Sequence, residues 1–284
     1  MFSIEDGLIG VFVVSMMLSF GAELSWSRLR TIVSNPKLLI GGMVAGYVIV
    51  PLSTWLIGNA AGLSPALHAG MLLCAAAPGG PIGALFTQRA GANLAMAVSL
   101  LMAVNLINLF ATPLTLHLLG ATPDGDIVME LLGMFATILC CQVLPLVVGI
   151  EIRARSLDWA QWLSRRGKQF ANAVLLVAII GIALSQHGAM AAIDLKTLLV
   201  VEIITLIAMF SGWLLIPGDA HTRAAGALSN TVRSQSLSIL LAKTRFPHTE
   251  TLLAVLCFSM VMFFNGLLAS QLMKRRLTQS PPTP

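Results

Sequence analysis

Apolar runs of roughly 20 residues alternate with short polar stretches along the chain, the length at which a helix crosses a bilayer. The pattern predicts nine such helices, at about 7–24, 38–58, 67–87, 92–117, 127–150, 169–187, 196–216, 222–243 and 249–272. Two of them are interrupted. In the third, Ala77-Pro78-Gly79-Gly80-Pro81 places two prolines and two glycines near mid-membrane, where they break the helix. In the eighth, the polar stretch Ser229-Asn230-Thr231-Val232-Arg233-Ser234-Gln235-Ser236 does the same.

Each broken helix is the third of a group of four alternating spans, one to four and six to nine. The eighth follows the third by five spans, an odd step, so they run in opposite directions. Paired interrupted helices of opposite sense mark an inverted repeat, with a transport site where they meet. The pattern therefore predicts an all-α membrane protein with one transmembrane domain over 1–284. Its first repeat covers about 1–120 and its second about 127–275.

Composition agrees with the pattern. The chain is 57% hydrophobic and 10% charged over 284 residues, against about 25% charged in soluble domains. Its mean hydropathy is +0.87. Met1 to Asp6 holds Glu5 and Asp6 and no basic residue, so the first run is expected to be a retained span rather than a cleaved leader. Cys74, Cys140, Cys141 and Cys257 lie in apolar runs without CxxC spacing, and the five histidines show no metal-ligand spacing. No metal centre, cofactor or nucleic-acid partner is expected. The net charge of +5 has another explanation. With the N-terminus outside, thirteen Lys and Arg fall in inner segments and three in outer ones (Lys196, Lys243 and Arg245). This positive-inside bias predicts a multi-pass protein of the inner membrane with its C-terminus in the cytoplasm.

A half-helix N-terminus directs its free N–H groups at the break, where an anion is favoured. That makes the backbone of Gly79, Gly80, Pro81, Ile82, Gly83 and Ala84 a candidate cradle for a carboxylate. Arg233 is the one basic residue left inside a span. Such a charge is expensive in a bilayer and faces a cavity or a partner. It is either a fixed cation at the substrate site or a structural residue, paired with Glu202 or bonded to carbonyls of the break. Glu202, inside the seventh span, is either a glutamate reaching outward to water or a proton-coupling acid. Glu23 and Glu130 lie near span ends and read as interfacial. Asn105, Asn108 and Asn265 are amides inside spans, a type that often bonds helix to helix.

Three stretches resemble the bile acid:sodium symporter family: Phe20 to Leu24 with Asn35-Pro36-Lys37 and Pro51, Ala77-Pro78-Gly79-Gly80 with Asn93, and Phe264-Asn265. The resemblance implies a panel domain, here spans one, five and six, and a core domain of spans two to four and seven to nine. It also implies broken helices crossing in the core and uptake of an organic anion driven by sodium. It adds Asn265 to the candidate substrate residues, which also include Asn230 in the break of the eighth span. Its sodium ligands find no counterpart at Gly46, Gly83, Ala84, Ala97, Leu101, Asn230 and Ser234.

The expected function is a secondary transporter of a small organic anion, bile-acid-like or a small carboxylate. The alternative to sodium coupling is a proton-coupled or uncoupled carrier or exchanger in which Arg233 replaces the sodium charge and Glu202 serves coupling. A channel would need a symmetric filter ring. A membrane-embedded enzyme would need a convergent catalytic set, which the placement of the histidines does not offer. The sequence sets no oligomeric state.

Overall fold

The computed structural model describes residues 4–121, 127–185, 194–246 and 249–278. Among these, every regular element is a helix, and one isolated β-bridge joins Pro78 to Arg233. The helices coincide with the expected spans. The first five are Ile4–Gly21, Pro36–Ala60, the pair Pro65–Ala75 and Ile82–Ala90, Leu94–Leu118, and Ile127–Ile138 continuing into Leu144–Arg155. Then follow Leu157–Ser185, Leu195–Leu215, the pair Ala220–Thr231 and Gln235–Arg245, and Thr249–Leu277. Five of these segments are long and apolar enough to cross a membrane. Residues 186 and 187 of the expected sixth span lie outside the described residues, as do Met1 to Ser3. Large apolar side chains such as Phe110, Leu114, Phe210, Leu214, Phe264 and Leu268 stand exposed, a surface that suits lipid rather than water.

Glycines set which helices touch. A Cβ at Gly21 would meet the Leu146 carbonyl, and one at Gly149 would meet the Leu18 carbonyl, so spans one and five approach backbone to backbone. Gly167 packs on Ser19 and brings span six to the other side of span one. These three form the panel. In the core, Gly212 and Gly226 each lie against the other's carbonyl and seal span seven to the first half of span eight.

Spans two and five each contain a π-helical turn, Val44–Ile49 and Leu139–Val143. Each turn leads directly into the helix whose second residue is a proline, Pro51 or Pro145. A proline ring crowds the carbonyl four residues back and supplies no N–H, and a wider turn accommodates both.

Two stretches expected as loops are helical. Trp26–Val33 forms a short helix packed on span four. The sixth helix begins at Leu157 rather than near 169. Its first turns hold Trp159, Trp162 and Leu163 among Asp158, Arg165 and Arg166, with no proline. An amphipathic stretch of this kind is helical without an apolar run, so a reading by apolar runs sees only the part in hydrocarbon.

Candidate functional site

The two breaks cross each other. After Ala75 the chain turns through Gly79, at φ 98°, and runs antiparallel to Val232–Ser234. Ser234 N–H donates to the Ala77 carbonyl at 2.7 Å. A Cβ at Gly80 would meet the Arg233 carbonyl, so only glycine lets the two backbones pass so closely.

A helix that stops inside a membrane leaves carbonyls that water cannot reach, and each unsatisfied group costs several kcal/mol. Span four supplies the donors. Asn105 Nδ2 bonds the Gly79 carbonyl at 2.8 Å, Asn108 Nδ2 bonds Pro78 at 2.9 Å, and Thr112 Oγ1 bonds Ala76 at 2.9 Å. Their spacing of three and four residues puts them on one helical face. Tyr47 Oη donates to Asn108 Oδ1 at 2.6 Å, and Gln142 Nε2, from the panel, donates to Asn105 Oδ1 at 2.9 Å. Ser238 Oγ reaches the Leu73 carbonyl at 3.3 Å.

Arg233 is 1% exposed. Its Nη2 donates to Asn230 O at 2.7 Å and Asn230 Oδ1 at 3.2 Å, and its Nη1 to Gly46 O at 3.2 Å and Ala75 O at 3.5 Å. No carboxylate lies within ion-pair distance among the described residues. Of the two roles open to Arg233 in the sequence, the geometry matches bonding to carbonyls of the break. A fork presented to a substrate carboxylate does not fit it, because both terminal nitrogens are engaged and the side chain is buried throughout, including Nε, which has no partner. Pairing with Glu202 does not occur either. Glu202 Oε2 accepts from Asn265 Nδ2 at 2.9 Å, and the same amide nitrogen donates to Thr205 Oγ1 at 2.7 Å.

The crossing also changes the expected cradle. Gly79, Gly80 and Gly83 are buried, with Gly83 packed on Ser229. The N–H groups of Gly83 and Ala84 turn back onto the carbonyls of Gly80 and Pro81. Asn230 is 5% exposed and its amide donates to Ala208 O at 2.7 Å and Ser211 Oγ at 3.0 Å. The cleft that Gly79 and Asn230 share is about 10 Å³, room for about one water. Ile82 and Asn265 are partly exposed. From the expected set, Pro81 and Ala84 line a large cavity.

That cavity, about 640 Å³, lies between panel and core. The panel side contributes Phe20, Glu23, Leu24, Arg153 and Lys168. The core side contributes Pro81, Ala84, Leu85 and Gln88 from the second half of span three, with Leu94 and Val98 from span four; Ser27 and Arg28 close one rim. The start of the half-helix Ile82–Ala90 points into it. Lys168 Nζ pairs with Glu23 Oε2 at 2.6 Å, and Ser164 Oγ donates to Glu23 Oε1 at 2.5 Å. Arg28 and Arg153 form no ion pair among the described residues. Three cations and one carboxylate give the walls a net positive charge.

Sequence reasoning missed Arg28, Arg153 and Lys168 as site residues, because it counted them only as topology signals. Gln142 also escaped notice, although a lone amide in the run Leu139–Leu146 was a visible signal. Among the described residues no cluster of His, Cys, Asp and Glu could hold a metal ion.

Comparison with known proteins follows the same lines. The model of the sodium bile acid symporter family matches residues 10–215. A probable sodium/metabolite cotransporter of Arabidopsis thaliana chloroplasts is 30% identical over 133 residues, 47% of this chain and 32% of that protein. The hepatic sodium/bile acid cotransporter of Rattus norvegicus is 23% identical over 181 residues, 63% of this chain and 49% of its own. An uncharacterized sodium-dependent transporter of Bacillus subtilis is 24% identical over 187 residues, 64% of this chain and 54% of its own. The chain thus spans a third to about half the length of these relatives. With two broken helices crossing in a core and a family match over most of its length, this chain belongs to the sodium bile acid symporter family.

Proposed function

We propose that the protein is a secondary carrier that moves a small organic anion through the cavity between panel and core. The observation that carries this reading is the cavity itself. It is large enough for a small carboxylate, its walls are net positive, and a half-helix begins at its floor. A helix N-terminus and unpaired guanidinium groups both favour a carboxylate there. Apolar Phe20, Leu24, Leu85 and Leu94 leave room for a hydrocarbon body beside it. The family and the names of its relatives support transport as the task.

Counterflow in proteoliposomes tests it, with labelled 2-keto acids, hydroxy acids and cholate as probes. At least one should exchange with saturation, and Arg28→Gln together with Arg153→Gln should weaken its binding tenfold or more, since each charge-assisted hydrogen bond contributes about 1.5–3 kcal/mol. Flux without saturation would indicate a channel, and chemical conversion of a probe an enzyme.

Glu202 is the proposed coupling group. Its carboxylate lies inside span seven, where Asn265 Nδ2 donates to it at 2.9 Å and no Lys or Arg lies within ion-pair distance among the described residues, and an ionisable group within a span marks a functional position.

A further inference from the structure

We propose that Arg233 is a built-in cation that fills the ion site of the crossing, so that the carrier binds its anion without sodium. This rests on the reading of the protein as a carrier and concerns what drives it. The half-helices Pro65–Ala75 and Ala220–Thr231 end at the crossing. A helix C-terminus carries about half a negative charge, so two of them together offset one full positive charge. Arg233 sits there, bonded to Ala75 O and Asn230 O at those ends and to Gly46 O of span two. This accounts for a buried guanidinium without a carboxylate partner.

The family's name implies sodium, and the residues present do not fit it. A hard cation needs a shell of some six converging oxygens. The candidate oxygens, Gly46 O, Ala75 O, Asn230 O and Asn230 Oδ1, already surround the guanidinium. The carbonyls of Ala76, Ala77, Pro78 and Gly79 accept from Thr112, Ser234, Asn108 and Asn105. A sodium ion at this point would meet a like charge in a medium of low dielectric, where repulsion is strong. Gly46 completes the device. A side chain there would press on Pro78 and Asn230, and its absence leaves the carbonyl open to Nη1. The cation is covalently attached, so it does not cross the membrane and no sodium gradient drives the cycle.

The test needs no identified substrate. Purified protein is melted in sodium, potassium and choline chloride at equal ionic strength, and binding of radioactive sodium is measured directly. Equal Tm values and no saturable sodium binding are expected. A sodium-specific rise in Tm, or saturable binding to the unmodified protein, overturns the proposal, because an ion resident well above its Kd stabilises the folded state. Arg233→Ala should lower Tm by several degrees and recover part of the loss in millimolar guanidinium but not in choline. An equal response to the two overturns the proposal as well. Arg233→Lys keeps the charge without the fork and should melt between the two. If Arg233→Ala does not fold, the salt series on the unmodified protein decides. Absence of exchange for every anion would instead sink the carrier reading and leave these cation measurements standing.

Discussion

Asn105 and Asn108 each hold one carbonyl of the first break and are themselves held, Asn105 by Gln142 and Asn108 by Tyr47. Removing either amide strands a buried carbonyl, while each supporting donor keeps a second acceptor, Gln142 Nε2 the Asn105 carbonyl at 3.4 Å and Tyr47 Oη the Val104 carbonyl at 2.8 Å. Asn105→Ala and Asn108→Ala should therefore each destabilise the protein by about 1–3 kcal/mol, the range for an orphaned buried polar group. Thermal unfolding in detergent would measure this, with Asn59→Ala, an exposed amide bonded only within its own helix, as the near-neutral control. Tyr47→Phe should cost less, since Asn108 Oδ1 keeps a long bond from Thr112 Oγ1 at 3.3 Å. Glu202→Gln keeps the partner Asn265 but cannot release a proton. It should preserve anion exchange while abolishing uptake driven by a pH gradient in proteoliposomes; uptake that persists would remove Glu202 from coupling. The sequence identified Asn105 and Asn108 as amides joining helices, because a polar group in an apolar run needs a partner. It left Arg233 between two roles. Composition shows that a buried charge must be compensated, but only the crossing brings the carbonyls of Gly46, Ala75 and Asn230, far apart in the chain, around one guanidinium.

The half-helices depend on their ends as much as on their faces. Ala220–Thr231 has hydrophilic as well as apolar residues and is too short to be stable alone. Asp219 caps it, accepting from Thr222 N–H at 2.8 Å. The Thr222 hydroxyl, and after it the Thr222 N–H, hold the Asp219 carboxyl below the usual carboxylate range. The cap therefore stabilises fully above the unfolded aspartate value of about 3.9 and loses its effect as pH falls through the lower folded value. Asp219→Ala should cost about 1 kcal/mol near neutral pH, a usual figure for a lost cap. The gap in Tm between it and the unmodified protein should be constant above about pH 4 and close below it. A gap that instead widens in acid would contradict the cap. Asp194, capping span seven through Thr197 N–H, is depressed in the same direction. The existence of these helices was legible because apolar runs and breakers have a fixed period. Their amphipathic extensions were not, since Leu157 to Lys168 carries its helical signal in a mixture of tryptophan and charge.

At the scale of the whole molecule, the cavity lies at the end of the bundle that carries most of the basic residues. Glu23, Arg28, Arg153 and Lys168 line it, with Trp26 Nε1 bonded to Glu151 Oε1 at 2.9 Å beside it. The opposite end is tied by other contacts, Ser64 Oγ to Glu250 Oε2 at 3.0 Å and Lys196 Nζ to the Gly62 carbonyl at 3.3 Å. We propose from the positive-inside rule that the basic end faces the cytoplasm, which would make this conformation open inward. Ala84 sits on the core wall of the cavity, within the half-helix that faces the panel. In a background with all four native cysteines replaced, Ala84→Cys should be modified by a charged thiol reagent in inside-out vesicles and not in intact cells. In the protein with its native cysteines, Cys140, exposed within span five, should stay unmodified, because membrane-impermeant reagents follow water. Alternating access requires the core to move against the panel around the fixed crossing. The spans of the panel are joined by close backbone packing at Gly21 and Gly149, and the crossing in the core by its hydrogen-bonded carbonyls. Motion should therefore concentrate where the two domains face each other across water. An exchanged anion should slow modification of Ala84→Cys in proportion to its occupancy, while a cysteine at Thr87, buried in the same half-helix, should remain unreactive throughout. Modification of Ala84→Cys from the outside of intact cells, with none from the inside, would reverse the orientation and put the cavity on the outer face.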